Sequence, residues 1–175
     1  MCIHIYNNFI KRLPRCYYRK KEYLVWQDDD KCRVAFSTMP IVANKQINVC
    51  AMNPEEVEDA KEKPLFLANT VEVLLIDKKK SKTYTFTINA GFDYDGASIN
   101  RIFWRIIGSK ENIEFKIAAL IHDVLCIHRE YVDNDRYFST IVLERCLYVG
   151  GTDKFRRWMM KHSVDNFQKT QGWEE

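Results

Sequence analysis

Residues 71–88 read VEVLLIDKKKSKTYTFTI, and the fold of the first half of the chain follows from this stretch. Apolar side chains occupy every second position on both sides of a lysine-rich centre, and threonines fill the alternate positions of the second run. A period of two is typical of half-buried antiparallel strands. The stretch therefore predicts a β-hairpin whose solvated tip is the basic run 78–82.

The regions on either side of this hairpin add shorter elements. Residues 23–26 and 32–36 are predicted to form two short strands around an acidic turn. The charged stretch 53–64 contains few apolar side chains, and it predicts a surface loop with a helical turn. After the hairpin, Gly91 and Gly96 favour a tight, irregular turn in which backbone carbonyls face inward.

From Asn100 onward the period changes from that of a strand to that of a helix, and Ser109 is predicted to cap a long helix that contains FKIAALIHDVLC at 115–126. Isoleucines, leucines and valines form one apolar stripe along this predicted helix, and Ala118, Ala119 and His122 lie on a second stripe. The small alanines would allow another element to approach His122 closely.

Further helices are predicted around this one. A short helix is expected within residues 100–107, a third helix begins at Asp133 or Asn134 and ends at 150–151, and a fourth follows Asp153. On the fourth helix, one side is expected to carry Phe155, Trp158, Met159 and His162. The sequence thus predicts an α+β fold, a small antiparallel sheet in the N-terminal half followed by a helical hairpin with flanking helices.

Length and composition fit a single domain over residues 1–175, β-rich at about 1–98 and α-helical at about 99–175. A net charge of +3 gives no reason to expect nucleic acid as a partner. No apolar run approaches the roughly 20 residues of a transmembrane helix, and polar residues interrupt the N-terminus too early for a signal peptide. The chain is therefore expected to fold in a cytoplasm. Its six cysteines include no C-x-x-C pair, which favours free thiols over a zinc site.

Three places in the sequence could carry chemistry: Asp95 with Gly96, His122 with Asp123, and Asp135. Neighbouring residues on a helix point about 100° apart, so His122 and Asp123 are expected to contact different partners rather than each other. An imidazole in an apolar helix is expected to stay neutral and to act as a base near pH 7.

A hard cation such as calcium binds about six to eight oxygen atoms. The carboxylates of Asp95 and Asp123 are predicted to supply two of them, and loop carbonyls such as that of Gly96 would add to these. Asp135 can accept the far ring N–H of His122 and fix its tautomer. The same residues also fit a buried, fully bonded polar network without chemistry, and both interpretations remain open.

Three blocks of the sequence, taken in order, resemble a family of short phage and prophage proteins that is known only as a domain of unknown function. The blocks are GFDYDGASI at 91–99, AALIHD at 118–123 and DRYF at 135–138, with an aromatic pair at 103–104. The resemblance covers about residues 70–150. It implies a phage or prophage origin, a place in the host cytoplasm during infection or in the virion, and phage or host proteins as partners.

The same blocks are also similar to the active-site blocks of small prokaryotic phospholipase A2 enzymes. Those enzymes carry an Asp-Gly-Cys-Ser loop, a His-Asp pair in a helix, and a later Asp followed three residues on by Phe. The resemblance implies a phospholipase A2-like helical core, calcium held by Asp95 and Asp123, and no covalent intermediate. His122 would be the base that activates water, and Asp135 would orient it.

Two positions depart from the phospholipase pattern, since Ala97 replaces a cysteine of the loop and Cys126 replaces a tyrosine that is usual after the His-Asp pair. The first hypothesis is a phage-encoded, calcium-dependent hydrolase of an ester bond, with phospholipid or another ester as substrate. The alternative is a non-catalytic virion or host-interaction protein that keeps the His/Asp cluster as a structural network. A hydrolase of cell-wall or nucleotide substrates is the third possibility.

Overall fold

The computed structural model describes residues 22–47, 52–95 and 113–173. Gly96 and the predicted short helix within 100–107 lie outside these ranges. Within them the elements, in chain order, are β1 (Leu24–Asp28), β2 (Cys32–Phe36), β3 (Val42–Asn44), α1 (Pro54–Glu62), β4 (Leu65–Leu67), β5 (Val71–Asp77), β6 (Lys82–Ile88), β7 (Asp93–Tyr94), α2 (Ile113–Ile127), a 3-10 helix (Arg129–Val132), α3 (Arg136–Val149) and α4 (Lys154–Thr170).

The larger sheet is antiparallel and has the strand order β1-β2-β5-β6. The predicted hairpin is confirmed as β5 and β6, in which Val71 pairs with Ile88 and Asp77 pairs with Lys82. Every second residue of β5 is buried, as the period of two predicts, because one face of the sheet packs on the core. The strands predicted at 23–26 and 32–36 are confirmed as β1 and β2.

A second, smaller antiparallel sheet has the order β3-β4-β7. Its strands are only two or three residues long, too short to show a period in the sequence. In it Leu65 pairs with Tyr94 and Phe66 pairs with Asp93. This sheet fixes the position of the chain immediately before Asp95.

The stretch predicted as a loop with a helical turn is instead a helix of nine residues, α1. Asn53 and Glu56 form a reciprocal capping box at its start, and Pro54 occupies the first turn, where it needs no hydrogen bond. The prediction of a loop was wrong because these end signals outweigh the small number of apolar residues. Lys45 holds the helix to β7, with its Nζ 2.7 Å from Asp59 and 2.9 Å from Asp93.

The central helix α2 is buried on almost every side and packs against α3, which in turn packs against α4 and against β1 and β2. Its buried residues are Phe115, Ile117, Ala118, Ala119, Leu120, Ile121, His122, Val124 and Leu125. His122 is therefore a polar residue within the main hydrophobic core, where an imidazole requires bonding partners.

The predicted start of α3, at Asp133 or Asn134, was two or three residues too early. After the 3-10 helix, Asp133 and Asn134 adopt the left-handed conformation with φ of 54° and 60°. Because left-handed residues cannot belong to a right-handed helix, α3 starts only after them. Asp135 is its N-cap and accepts a hydrogen bond from the Phe138 amide at 3.0 Å. Gly150 ends the helix, as predicted.

The side of α4 that faces the core is not the side that carries Phe155, Trp158, Met159 and His162. Asp153 caps the helix as expected, but Phe155 and Trp158 are exposed to solvent. The buried positions follow the spacing i, i+4, i+8 and are Met160, Val164 and Gln168. This stripe turns toward α3, and it leaves the aromatic residues of the first two turns outside the core.

The α+β class is confirmed, with antiparallel strands in the N-terminal half and most of the helical residues in the C-terminal half. In the ranges that the structure describes, every helix is too short or too polar to cross a membrane. The single domain over residues 1–175 stays a prediction.

Candidate functional site

A cleft of about 510 Å³ opens where α2, the end of β7, the end of α1 and the last turns of α4 meet. Its lining residues are Glu62, Lys63, Phe92, Asp93, Tyr94, Asp95, His122, Asp123, Cys126, Ile127 and Phe167. Three residues singled out from the sequence, Asp95, His122 and Asp123, thus lie around one opening. Gly96 lies outside the described residues, and Asp135 is not part of the lining.

His122 contacts its own neighbour in the sequence. Its side chain is only 5% exposed, and its Nδ1 lies 3.3 Å from Oδ1 of Asp123. The expectation that the two could not bond to each other was wrong. Although the Cα–Cβ directions of neighbours on a helix diverge, rotation about the side-chain torsions brings the carboxylate back toward the ring.

The other side of the imidazole faces α4 and the next turn of α2. Nε2 of His122 lies 3.2 Å from the amide nitrogen of Gln168 and 3.4 Å from Sγ of Cys126. The sulfur is 3.8 Å from Nδ1 as well. The amide of Gln168 also contacts Ser139 at 3.4 Å and Thr140 at 3.1 Å. One polar network therefore joins α2, α3 and α4.

The sequence reasoning missed Gln168. The available signal was its spacing from Met160 and Val164, which places a polar amide on the buried stripe of α4. A buried amide needs a partner, and in this fold the partner is the imidazole of α2.

Two effects act in opposite directions on the protonation of His122. Burial lowers the pKa of the imidazole, but the hydrogen bonds with Asp123 and Cys126 outweigh burial and raise the pKa to about 10. The carboxylate of Asp123 therefore favours a protonated ring rather than the neutral imidazole expected from the sequence, whereas the amide nitrogen of Gln168 is a donor and favours an unprotonated Nε2.

Asp135 has partners other than His122. Besides capping α3, it forms an ion pair with Lys80 at the tip of the β5–β6 hairpin. Lys82 of the same tip lies 2.9 Å from Asp133, so the tip is docked on the start of α3 rather than fully solvated. Among the described residues, no hydrogen bond joins Asp135 to His122, and the carboxylate of Asp135 instead binds the Phe138 amide and Lys80.

Four carboxylates line the cleft, those of Glu62, Asp93, Asp95 and Asp123, and carboxylate oxygens are the ligands that calcium prefers. The carboxylate of Asp93 binds Lys45 at 2.9 Å and lies 3.9 Å from Lys63, and the sequence motifs single out Asp95 and Asp123. Within the described ranges, no three His, Cys, Asp or Glu side chains are gathered closely enough to form a complete metal site. The two carboxylates fit part of a calcium shell, and backbone carbonyls or water would have to complete it.

The rest of the cleft is mostly apolar. Phe92, Ile127 and Phe167 offer hydrocarbon surface around the polar centre. Tyr94 closes the inner wall, where its hydroxyl donates to the carbonyl of Lys116 at 2.9 Å. Burial raises the pKa of Tyr94, and the charge of Asp123 adds to the effect, so this phenol keeps its proton.

The fold and the site define an α+β protein with a His-Asp pair on a buried helix beside an open cleft. Residues 70–164 match the family model described as "Protein of unknown function (DUF1353)". The matched part is more than half of the chain, and the protein belongs to that family. It includes the β5–β6 hairpin, Asp95, His122 and Asp123. No curated protein and no solved structure matches the chain.

Proposed function

We propose that this protein is a hydrolase that breaks an ester bond in the cleft of Asp95, His122 and Asp123. One observation carries the proposal, namely that the end of β7 and the middle of α2 bring these three side chains around one opening of about 510 Å³. Phe92 and Phe167 give the cleft apolar walls against which the hydrocarbon part of a substrate could pack. A phospholipid is the ester we favour, because it combines such a hydrocarbon part with a polar ester.

The proposed chemistry divides between the carboxylates and the imidazole. A calcium ion, when bound, would polarise the ester carbonyl and stabilise the negative charge that develops on its oxygen. Asp95 and Asp123 are the residues that would hold it, with the backbone of Gly96 as a further oxygen donor. His122 would take the proton of the attacking water and pass it to the leaving alcohol.

The protonation of His122 supports a role for a cation in this scheme. Without one, the hydrogen bond with Asp123 favours the imidazolium, and the pKa of His122 is raised to about 10. A carboxylate whose charge is shared with a bound cation stabilises the imidazolium less, so the pKa of His122 falls and the ring can accept a proton. We further propose that α2 and α3 form a helical core of the phospholipase A2 type, which the packing of these two helices supports.

The test uses a short-chain phosphatidylcholine below its critical micelle concentration, so that binding to a lipid surface does not affect the measured rate. We expect the full-length protein to release fatty acid in calcium and to lose this activity in a chelator. His122→Asn is expected to lower the rate by about 100-fold or more. His162→Asn, at an exposed histidine away from the cleft, is the matched control and should keep the wild-type rate. Activity that is indifferent to calcium and to His122→Asn would refute the mechanism.

A second function is favoured by a different observation. The contacts of His122 with Gln168, and of Gln168 with Ser139 and Thr140, are those of a network that holds three helices together. We therefore keep as the alternative a non-catalytic phage virion or host-interaction protein, whose phage origin rests on the resemblance alone. It predicts no calcium binding by isothermal titration calorimetry. It also predicts that His122→Asn lowers the free energy of unfolding by about 1–3 kcal/mol without any enzymatic effect.

A further inference from the structure

The corner between α3 and α4 carries a group of large apolar side chains that are open to solvent. Their exposed fractions are 55% for Tyr148, 38% for Val149, 63% for Phe155 and 56% for Trp158. We call these four residues the corner patch. They lie within eleven positions of the sequence, at the end of one helix and the beginning of the next. Grouped exposed residues of this size mark interaction surfaces more often than scattered ones do.

Three of the side chains in the corner patch have ring contacts, Phe155 with Trp158 and, separately, Tyr148 with Arg157. The rings of Phe155 and Trp158 stack with their centroids 6.2 Å apart, and Trp158 meets His162 edge to face at 4.6 Å. The guanidinium of Arg157 lies 4.7 Å from the centre of the Tyr148 ring and connects the two helices. The patch therefore presents ordered aromatic surface, and little conformational entropy is lost when a partner covers it.

Basic side chains surround the corner patch. The first two turns of α4 contain Lys154, Arg156, Arg157 and Lys161, whereas Asp153 is the single acidic residue from 153 to 161. Arg156 pairs with Asp153 at 3.0 Å, and Lys161 lies 3.4 Å from Glu144 of α3. In the described part of the chain neither Lys154 nor Arg157 has a carboxylate partner. The patch is thus an apolar centre with an excess of positive charge at its edge.

We propose that the corner patch docks the protein on a lipid bilayer with anionic headgroups. Tryptophan and tyrosine favour the boundary between water and hydrocarbon, and the patch contains one of each beside a phenylalanine and a valine. The flanking lysine and arginines match the phosphates of such a surface. A nucleic acid would require a wider basic surface than a chain with net charge +3 offers. This docking goes beyond the proposed hydrolase and does not depend on it.

The experiment is co-sedimentation of the full-length protein with vesicles of phosphatidylcholine alone or mixed with phosphatidylglycerol, in chelator so that calcium plays no part. We expect binding to the mixed vesicles only. The double variant Phe155→Ser, Trp158→Ser should bind at least about tenfold more weakly, since its apolar surface is lost. The double variant Lys154→Gln, Arg157→Gln should weaken binding by about fivefold for each cation removed.

Two controls match these variants in exposure and chemistry. Ile41→Ser removes a side chain that is 59% exposed elsewhere on the surface, and Lys61→Gln removes an exposed cation of α1. Both should bind vesicles as the wild type does. Because none of the substituted residues is buried, circular dichroism is expected to show the same fold in every variant.

Three results would overturn the proposal. The first is binding that is absent or is the same with and without phosphatidylglycerol. The second is equally strong binding by the Phe155→Ser, Trp158→Ser variant. The third is a dimer in sedimentation velocity that these two substitutions abolish, which would assign the corner patch to a second copy of the chain.

Discussion

Nδ1 of His122 lies 3.3 Å from Oδ1 of Asp123, so two successive residues of α2 form a charged pair at the wall of the cleft. Burial lowers the pKa of the imidazole, and the hydrogen bonds with Asp123 and Cys126 raise it. The raising effect is the larger one, and the pKa is about 10. The protonation of this ring therefore depends on what else approaches Asp123. A cation at that carboxylate would reverse the balance.

The charged pair makes stability depend on pH. Because the pKa of His122 is about 10 in the folded state and 6.5 in its ordinary state, the folded protein binds more protons than the unfolded one between these values. The stabilisation is fully present below about pH 6.5 and is lost as the pH rises through about 10. We expect urea denaturation to show a free energy of unfolding that declines over this interval.

The variant Asp123→Asn should show a smaller decline, because the partner that raises the pKa of His122 is gone. Asp133→Asn removes the same charge from an exposed residue that contacts Lys82 at the tip of the β5–β6 hairpin. This variant should keep the wild-type dependence of stability on pH. Identical curves for Asp123→Asn and the wild type would show that the pair does not control this titration.

Calcium should lower the pKa of His122. If Asp95 and Asp123 hold the ion, the carboxylate that stabilises the imidazolium is partly neutralised, and the ring loses its proton at a lower pH. The measurement is the chemical shift of the His122 ring against pH by NMR, with and without calcium. The exposed His162 serves as the internal control, and a titration of His122 that calcium leaves unchanged would contradict the site.

Gln168 is expected to matter for stability although it lies outside every sequence motif. Gln168→Leu removes the amide that contacts His122 and Thr140 and leaves their buried polar atoms without this partner. The expected cost is about 1–3 kcal/mol in the free energy of unfolding from chemical denaturation. Lys169→Leu, at the exposed neighbouring position, should change it by less than about 0.5 kcal/mol. A loss of similar size in both variants would argue against the network.

Asp135 is expected to act on the helix and not on the imidazole. Asp135→Ala removes the cap of α3 and the ion pair with Lys80, for an expected cost of about 1 kcal/mol in stability. Asp135→Asn keeps a capping side chain and should cost less. In both variants the NMR titration of His122 should match that of the wild type, and a shifted pKa would restore Asp135 as the partner of the ring.

The hairpin and the central helix could be predicted because each carries its own signal. The alternation in β5 and β6 and the long apolar stripe of α2 are local patterns. They predict a strand or a helix without information about the rest of the fold. Asp95, His122 and Asp123, which the sequence motifs single out, also line one cleft. Their chemical roles stay predictions.

The features that could not be predicted depend on how the helices begin and pack against one another. The partner of His122 could not be read from the sequence, because the register of α4 against α2 decides that Gln168 meets the ring. The start of α3 was predicted too early, because the left-handed residues Asp133 and Asn134 delay the helix and periodicity does not show this. The exposure of Phe155 and Trp158 follows from which stripe of α4 faces α3, and an amphipathic helix with aromatic residues on two sides leaves that choice open.

The most direct test of the hydrolase is the rate of ester hydrolysis against the concentration of free calcium, in the wild type, Asp95→Asn and Asp133→Asn. We predict a rate that rises to saturation in the wild type and in Asp133→Asn, whose carboxylate lies outside the cleft, and that is lost in Asp95→Asn. A rate that does not respond to calcium, or that is the same in all three proteins, would contradict the assignment of this cleft as a calcium-assisted active site.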